Sequence, residues 1–187
     1  MKWLFLFIAA LVGGAFWAFP RYLSTDARHE RASRALVHAI RSDELAHHIF
    51  IQVYRRSHDR GRITADELRC METATVEDFN KAIARNFAET LTPQELAAAE
   101  EFFESPVGIK YMRMVHREVA KGIPDYPIAD AGEEPTLDVD DLEALVKFRN
   151  EPRTRKVSDP DLLMGNTSEH EKKFMRDKRA DCVHSGT

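Results

Sequence analysis

The chain lacks most of the signatures that announce a chemistry. No segment alternates apolar and polar residues like a half-buried strand, so a sheet-based fold is not expected. No G-x-S-x-G elbow, phosphate-binding loop or dinucleotide fingerprint occurs, which removes the familiar sequence routes to a hydrolase, an NTPase or a dehydrogenase. There are two cysteines in 187 residues, and the paired C-x-x-C spacing of structural zinc is absent. Asp138-x-Asp140-Asp141 has neither the glycine nor the terminal glutamate of a calcium loop, and reads as a solvated helix start. Eight histidines invite a metal search. Glu44-x-x-His47 has no second E-x-x-H to complete a carboxylate bundle. Met112, Met114 and His116 cannot converge, because Met114 points away from the other two on a helix. Cys70 with Cys182-x-His184 lacks zinc-site spacing. Neighbouring acids such as Glu100 and Glu101 diverge on a helix and make no acid/base pair. The residues therefore ask for no cofactor and no metal, and an enzyme is not the leading expectation. Sites do assemble across a fold, so missing motifs alone do not exclude one.

What is present begins with an uncharged run from Trp3 to Phe19 behind a single lysine, Lys2. It is too apolar for a surface element and reads as a targeting or anchoring segment. Seventeen residues at 1.5 Å each span roughly 26 Å, just short of a hydrocarbon core. Small residues at alternate positions, as a signal peptidase prefers, are poorly placed: Phe16 spoils a cut after Ala18, and Thr25-Asp26-Ala27 is only tolerable. No cysteine lies nearby to carry a lipid. Residues 1–24 are thus expected to be a signal peptide or an N-terminal membrane anchor, and the remainder to be exported. The periplasm is the expected place, either as a soluble protein after cleavage or tethered to the inner membrane by residues 3–19. Two cysteines in an oxidising compartment make Cys70 and Cys182 a disulfide candidate, the alternative being two unrelated thiols.

Charge is unevenly spread. From Arg21 to Arg62 nine basic residues face five acidic ones, whereas from Ile63 to Asp141 seven face eighteen. One fold can satisfy an acidic centre between basic flanks; the alternative places the Arg-rich segment near anionic headgroups. Export and a net charge of −4 argue against nucleic acid as a partner.

The rest reads as helix. A first segment, about Asp26 to His58, sets Leu36, Ala39, Ile40, His47, Phe50 and Tyr54 on one face and ends at Arg60-Gly61. A second opens at Ile63-Thr64-x-x-Glu67-Leu68 and carries Leu68, Val76, Phe79, Ile83 and Phe87 in one stripe. Cys70 falls on its far side, available to the C-terminal segment. Leu96, Ala99 and Phe103 mark a third, and Val107, Tyr111, Met114, Val115 and Val119 a fourth. Residues 124–136 form an acidic, proline-rich linker. Residues 137–187 are expected to be a helical extension with one helix near Ser168–Lys178 and a polar, partly disordered tail. The expectation is an all-α bundle of about five to six helices, with 26–123 as its main body.

The densest writing lies between Leu91 and Lys110. Thr92 caps a helix, Pro93 suits its first position, Glu95 reaches back to the cap, and Leu91 with Leu96 closes a staple. Ser105-Pro106 repeats the cap-plus-proline signal, so one helix stops near Glu104 and another starts at Pro106. Gly108 costs about 1 kcal/mol inside a helix, which suggests a close approach by a neighbour. Without gaps, Leu91 aligns with Leu137 at an offset of 46, and Leu96, Ala98, Phe102, Pro106 and Lys110 match Leu142, Ala144, Phe148, Pro152 and Lys156. Either a degenerate second copy or shared capping rules account for this.

Leu91, Thr92, Glu95, Leu96, Phe102, Phe103, Ser105, Pro106, Gly108 and Lys110 give the chain its one resemblance. It resembles the bacterial family catalogued as domain of unknown function 2059, mainly over residues 91–115 and by pattern from Ala27 to Lys121. It departs at Phe103, where that family often has tyrosine, and at Ile109, often polar. The resemblance implies an all-helical envelope protein and assigns no catalytic residue. The leading expectation is a non-catalytic helical interaction module whose partner is another envelope protein, with a membrane contact through the N-terminal segment if it is uncleaved. A binder of an apolar or lipid-like ligand, drawing on Phe79, Phe87, Phe102, Phe103 and Tyr111, is the alternative. An envelope enzyme or metal protein is the third.

Overall fold

A computed structural model describes residues 27–123, 125–126, 135–159, 162 and 168–184. The apolar run and residues 1–24 lie outside them, as does most of the proposed linker. Among the described residues the chain is helical and has no strand. The helices are α1 (27–39), α2 (Ser42–Asp59), α3 (Ala65–Met71), α4 (Val76–Thr90), α5 (Pro93–Phe103), α6 (Pro106–Gly122), α7 (Val139–Asn150) and α8 (Glu169–His184). No helix among the described residues is long and apolar enough to cross a membrane.

The count exceeds the expected five to six because two expected segments are each split. The first breaks at Arg41, which takes the left-handed conformation at φ 55°. That conformation is unfavourable for a side-chain-bearing residue, and an ion pair from Arg41 to Glu44 spans the corner. The second breaks at Thr73–Thr75, where Thr75 and Asp78 form a second capping box one turn after the first helix closes. Each capped start works as the chemistry demands. Thr64 with Glu67, Thr75 with Asp78, Thr92 with Glu95 and Asp138 with Asp141 exchange reciprocal cap bonds. Gly61, at φ 65°, ends α2: its N–H donates to His58 and that of Arg62 to Ser57, satisfying the last carbonyls.

α4 is the central element. It packs on α2 and on α8, and α3 bridges the same two helices. α1 lies along α4, tied by His29 Nε2 to the Ala88 carbonyl at 2.9 Å and by Asn80 Nδ2 to the Arg34 carbonyl at 3.3 Å. Phe79, Phe87, Phe103, Leu36, Ile40 and Leu96 are fully buried and fill the centre. Phe79 meets Phe50 and Phe174 edge-on, at 5.3 and 5.0 Å between centroids. These edge-to-face pairs are the arrangement that aromatic quadrupoles favour.

Two sequence readings change here. The fourth segment's buried row is Gly108, Met112 and His116, about one residue off the expected Val107–Val119 stripe. Gly108 turns that face against α5, and His116 is buried and hydrogen-bonded. The C-terminal segment also runs further than Ser168–Lys178: α8 continues to His184 and docks on α3 and α4, with Cys182 buried. Phe148, Val157 and Cys182 share one apolar cluster with Leu36 and Phe79, so α7, the turn after it and α8 contribute to the same core. Few apolar contacts and one disulfide hold a polar helix there, and such sparse contacts are easily missed in a pattern of charges.

Candidate functional site

Three constellations stand out, and the first lies at the α1–α2 corner. The left-handed turn at Arg41 leaves the Ile40 carbonyl without a helical partner. His116 Nε2 lies 2.8 Å from it, and His116 Nδ1 lies 2.7 Å from the Tyr126 hydroxyl. A carbonyl only accepts, so Nε2 carries the proton and Nδ1 accepts from Tyr126. Burial holds the His116 pKa below the usual histidine value and pushes Tyr126 up to about 12. His48 meets the Tyr126 ring edge-on at 5.2 Å. Close by, Asp43 is buried and accepts from Asn80 Nδ2 and from the Glu44 N–H, each at 2.9 Å. Burial raises its pKa, while the two hydrogen bonds oppose the rise. The bonds from His116 end on a backbone carbonyl and on a tyrosine, so they act as a clamp joining α6, the corner and the chain after α6. Nothing in the pattern of charges marks Asp43, Asn80 or Tyr126, and Tyr126 falls within the expected linker 124–136.

The second constellation is the Leu91–Lys110 stretch with its echo. Leu91 and Leu96 are buried as a staple, and Phe103 is buried beside them. A Cβ on Gly108 would fall on the Phe102 carbonyl and 2.7 Å from the Phe103 Cα. Ser105 caps α6 by accepting from the Gly108 N–H at 3.1 Å. Phe102 stacks on Phe148 of α7, with centroids 3.8 Å apart and planes 13° from parallel. Lys110 Nζ reaches Asp141 at 2.7 Å, and Lys156 Nζ reaches Glu95 at 3.2 Å. The bond from Lys110 lowers the Asp141 pKa, and the cap bond from Thr92 lowers that of Glu95. At the place corresponding to Gly108, the Thr154 hydroxyl donates to the Phe148 carbonyl. Together these contacts seat α7 against α5 and α6.

The third is a covalent link. Cys70 and Cys182 form a disulfide with Cα atoms 5.5 Å apart, tying α3 to α8 across 112 residues.

The other residues singled out for chemistry do not assemble. His47 gives Nε2 to the Ala74 carbonyl at 3.0 Å and lies edge-on to Phe79. Among the described residues no three His, Cys, Asp or Glu side chains are grouped to hold a metal. Phe79, Phe87 and Phe103 are spent on core packing. The surface of α7 is a different matter. Val139, Leu142 and Val146, three and four residues apart, form one row, exposed by 70, 49 and 57%. Beside it an open depression of about 560 Å³ is lined by Val146, Arg149, Asn150, Arg155, Ser158 and Asp159.

Residues 77–115 match the model of a family described as an uncharacterized protein conserved in bacteria, DUF2059. The match starts in the first turn of α4 and ends within α6, taking in all ten motif residues from Leu91 to Lys110. It starts earlier than the resemblance centred on residues 91–115 and takes in most of α4. No curated protein and no solved structure matches the chain. DUF2059 thus covers the α4–α5–α6 centre, whose recognisable features are caps, a proline break and a close-packing glycine.

Proposed function

We propose that the protein is a non-catalytic helical interaction module of the bacterial envelope, acting through the outer face of α7. The observation that carries this is the Val139–Leu142–Val146 row. A helix that already buries Phe148 and bonds Asp141 leaves three large apolar side chains in water on its other side. An apolar row bordered by polar residues is the usual mark of a docking face. The adjoining depression adds Arg149 and Arg155, so the fitting partner is an amphipathic helix with acidic residues beside its apolar stripe. Envelope residence is supported by the apolar run Trp3–Phe19 and by the disulfide, which persists in an oxidising compartment.

The test is site-specific cross-linking in cells, with a photoreactive residue at Val146. A discrete adduct that disappears with Leu142→Arg and survives Val53→Arg, a change at an exposed apolar position on α2, is the expected result. Equal labelling in both variants would sink the reading. Fractionation of the same cells, with the mature N-terminus sequenced, tests export: a start near Arg28 means a cleaved signal, and an intact Met1 in the inner membrane means an anchor. Recovery in the cytosol would overturn the envelope assignment.

A further inference from the structure

The contacts between α5–α6 and α7 have an isologous pattern. Under the gapless offset of 46, Glu95 corresponds to Asp141 and Lys110 to Lys156. The ion pair Lys110–Asp141 therefore maps onto Lys156–Glu95, and both pairs are formed. Phe102 corresponds to Phe148, so the stacked pair maps onto itself. Two contacts that exchange and one that is its own image are what a twofold axis produces: residue i meets residue j, and j meets i. Shared capping rules account for Thr92–Glu95 and Asp138–Asp141 each bonding within its own helix. They do not account for the two segments meeting through equivalent residues. The likeness extends to Gly108 and Thr154, both set against the carbonyl of the equivalent phenylalanine. It ends where the surroundings differ: Leu96 is buried against the main body, whereas Leu142, its counterpart, is exposed.

We propose that the face built from Glu95, Phe102 and Lys110 recognises a second copy of its own helix opening, and that α7 occupies this place in cis. The ligand of the face is thus a segment that opens a helix with L-(T/D)-x-x-(E/D)-L, bears an aromatic seven residues after its N3 acid on that helix, and sets a lysine eight residues further on, past the helix end. Each copy contributes one acid, one aromatic and one lysine. A freed face meets the same three groups on another chain, giving a twofold homodimer. The matched family segment, residues 77–115, contains the face and not α7; a chain with that segment alone would meet its partner in trans.

The test disables the cis copy in the full-length chain with Asp141→Lys, Phe148→Ala and Lys156→Glu together. Sedimentation velocity at tens of micromolar should show twice the parent's mass. Adding Phe102→Ala should return the parent's mass, since the stacked pair that lies on the axis is then lost from both copies. A variant with the parent's helicity and the parent's mass overturns the proposal. If the triple variant loses its helicity, a second variant decides. Residues 137–154 are replaced by the sequence of 91–108, either in register or displaced by two residues. The in-register graft should keep the parent's mass and cooperative unfolding while the displaced graft loses them; identical behaviour of the two grafts overturns the proposal.

Discussion

Removing the Cys70–Cys182 bridge should cost more than any single side-chain contact in the molecule. The cross-link spans 112 residues, and the loop-closure model assigns roughly 4–5 kcal/mol to a loop of that size. A domain of this length is ordinarily stable by about 5–15 kcal/mol, so the loss takes a large share of the total. The structure adds a spatial expectation. α8 is polar along most of its length, and its apolar anchorage consists chiefly of Phe174, Met175 and Cys182. Cys70→Ala/Cys182→Ala should therefore loosen α8 first and lower global stability as well. Urea unfolding, at roughly 2 kcal/mol per molar, should show a midpoint lower by about 2 M. Hydrogen exchange should show α8 amides opening well before those of α2 and α4. A stability change under about 1 kcal/mol, or α8 amides as protected as in the bridged protein, would refute the reasoning: α8 would then be held by packing, and the bridge would constrain little.

The remaining expectations are smaller and local. Gly108→Ala gains about 1 kcal/mol of helix propensity but sets a Cβ against the backbone of Phe102 and Phe103; a net loss of roughly 1–3 kcal/mol should appear in urea unfolding, and a gain would disprove the close approach. Thr92→Ala removes the α5 cap and should cost about 1 kcal/mol, with Thr92→Ser restoring most of it. His116 has a folded pKa below its unfolded value, so its contribution is full above about pH 6.5 and lost as pH falls through the folded value; His116→Gln should flatten that acid limb in pH-dependent unfolding. Tyr126 has the opposite sign, being raised to about 12. Its contribution is full below about pH 10 and lost as pH rises through the folded value, and Tyr126→Phe should remove that part of the alkaline loss.

What was legible in the chain was mostly local. Thr64–Glu67 and Thr92–Glu95 each lie three residues apart, and cap chemistry needs no knowledge of the rest of the fold. The α5–α6 break is legible for the same reason, since Ser105-Pro106 carries it in two residues. The α1–α2 corner was not legible because Arg41 is no turn residue; its left-handed backbone is held by what surrounds it. The break before α4 was written, as Thr75 and Asp78, but an apolar stripe from Leu68 to Phe87 runs across it and reads as one helix.

Long-range pairing is the harder case, and it divides in an instructive way. Tyr126 and His116 are ten residues apart and yet unforeseen, because their bond depends on a carbonyl freed at Ile40. Glu95 and Lys156 are 61 residues apart, yet the offset of 46 already matches Glu95 to Asp141 and Lys156 to Lys110 in two similar segments. Neither segment says that it will meet the other. A segment that presents an acid, an aromatic and a lysine in this order is, however, complementary to itself under a twofold rotation, because its acid then lies opposite its lysine. Repetition within one chain supplies both halves of such an interface. The motif whose caps and proline break set up α5 and α6 thus carries the geometry of its own partner, and the segment built on α7 fills that place.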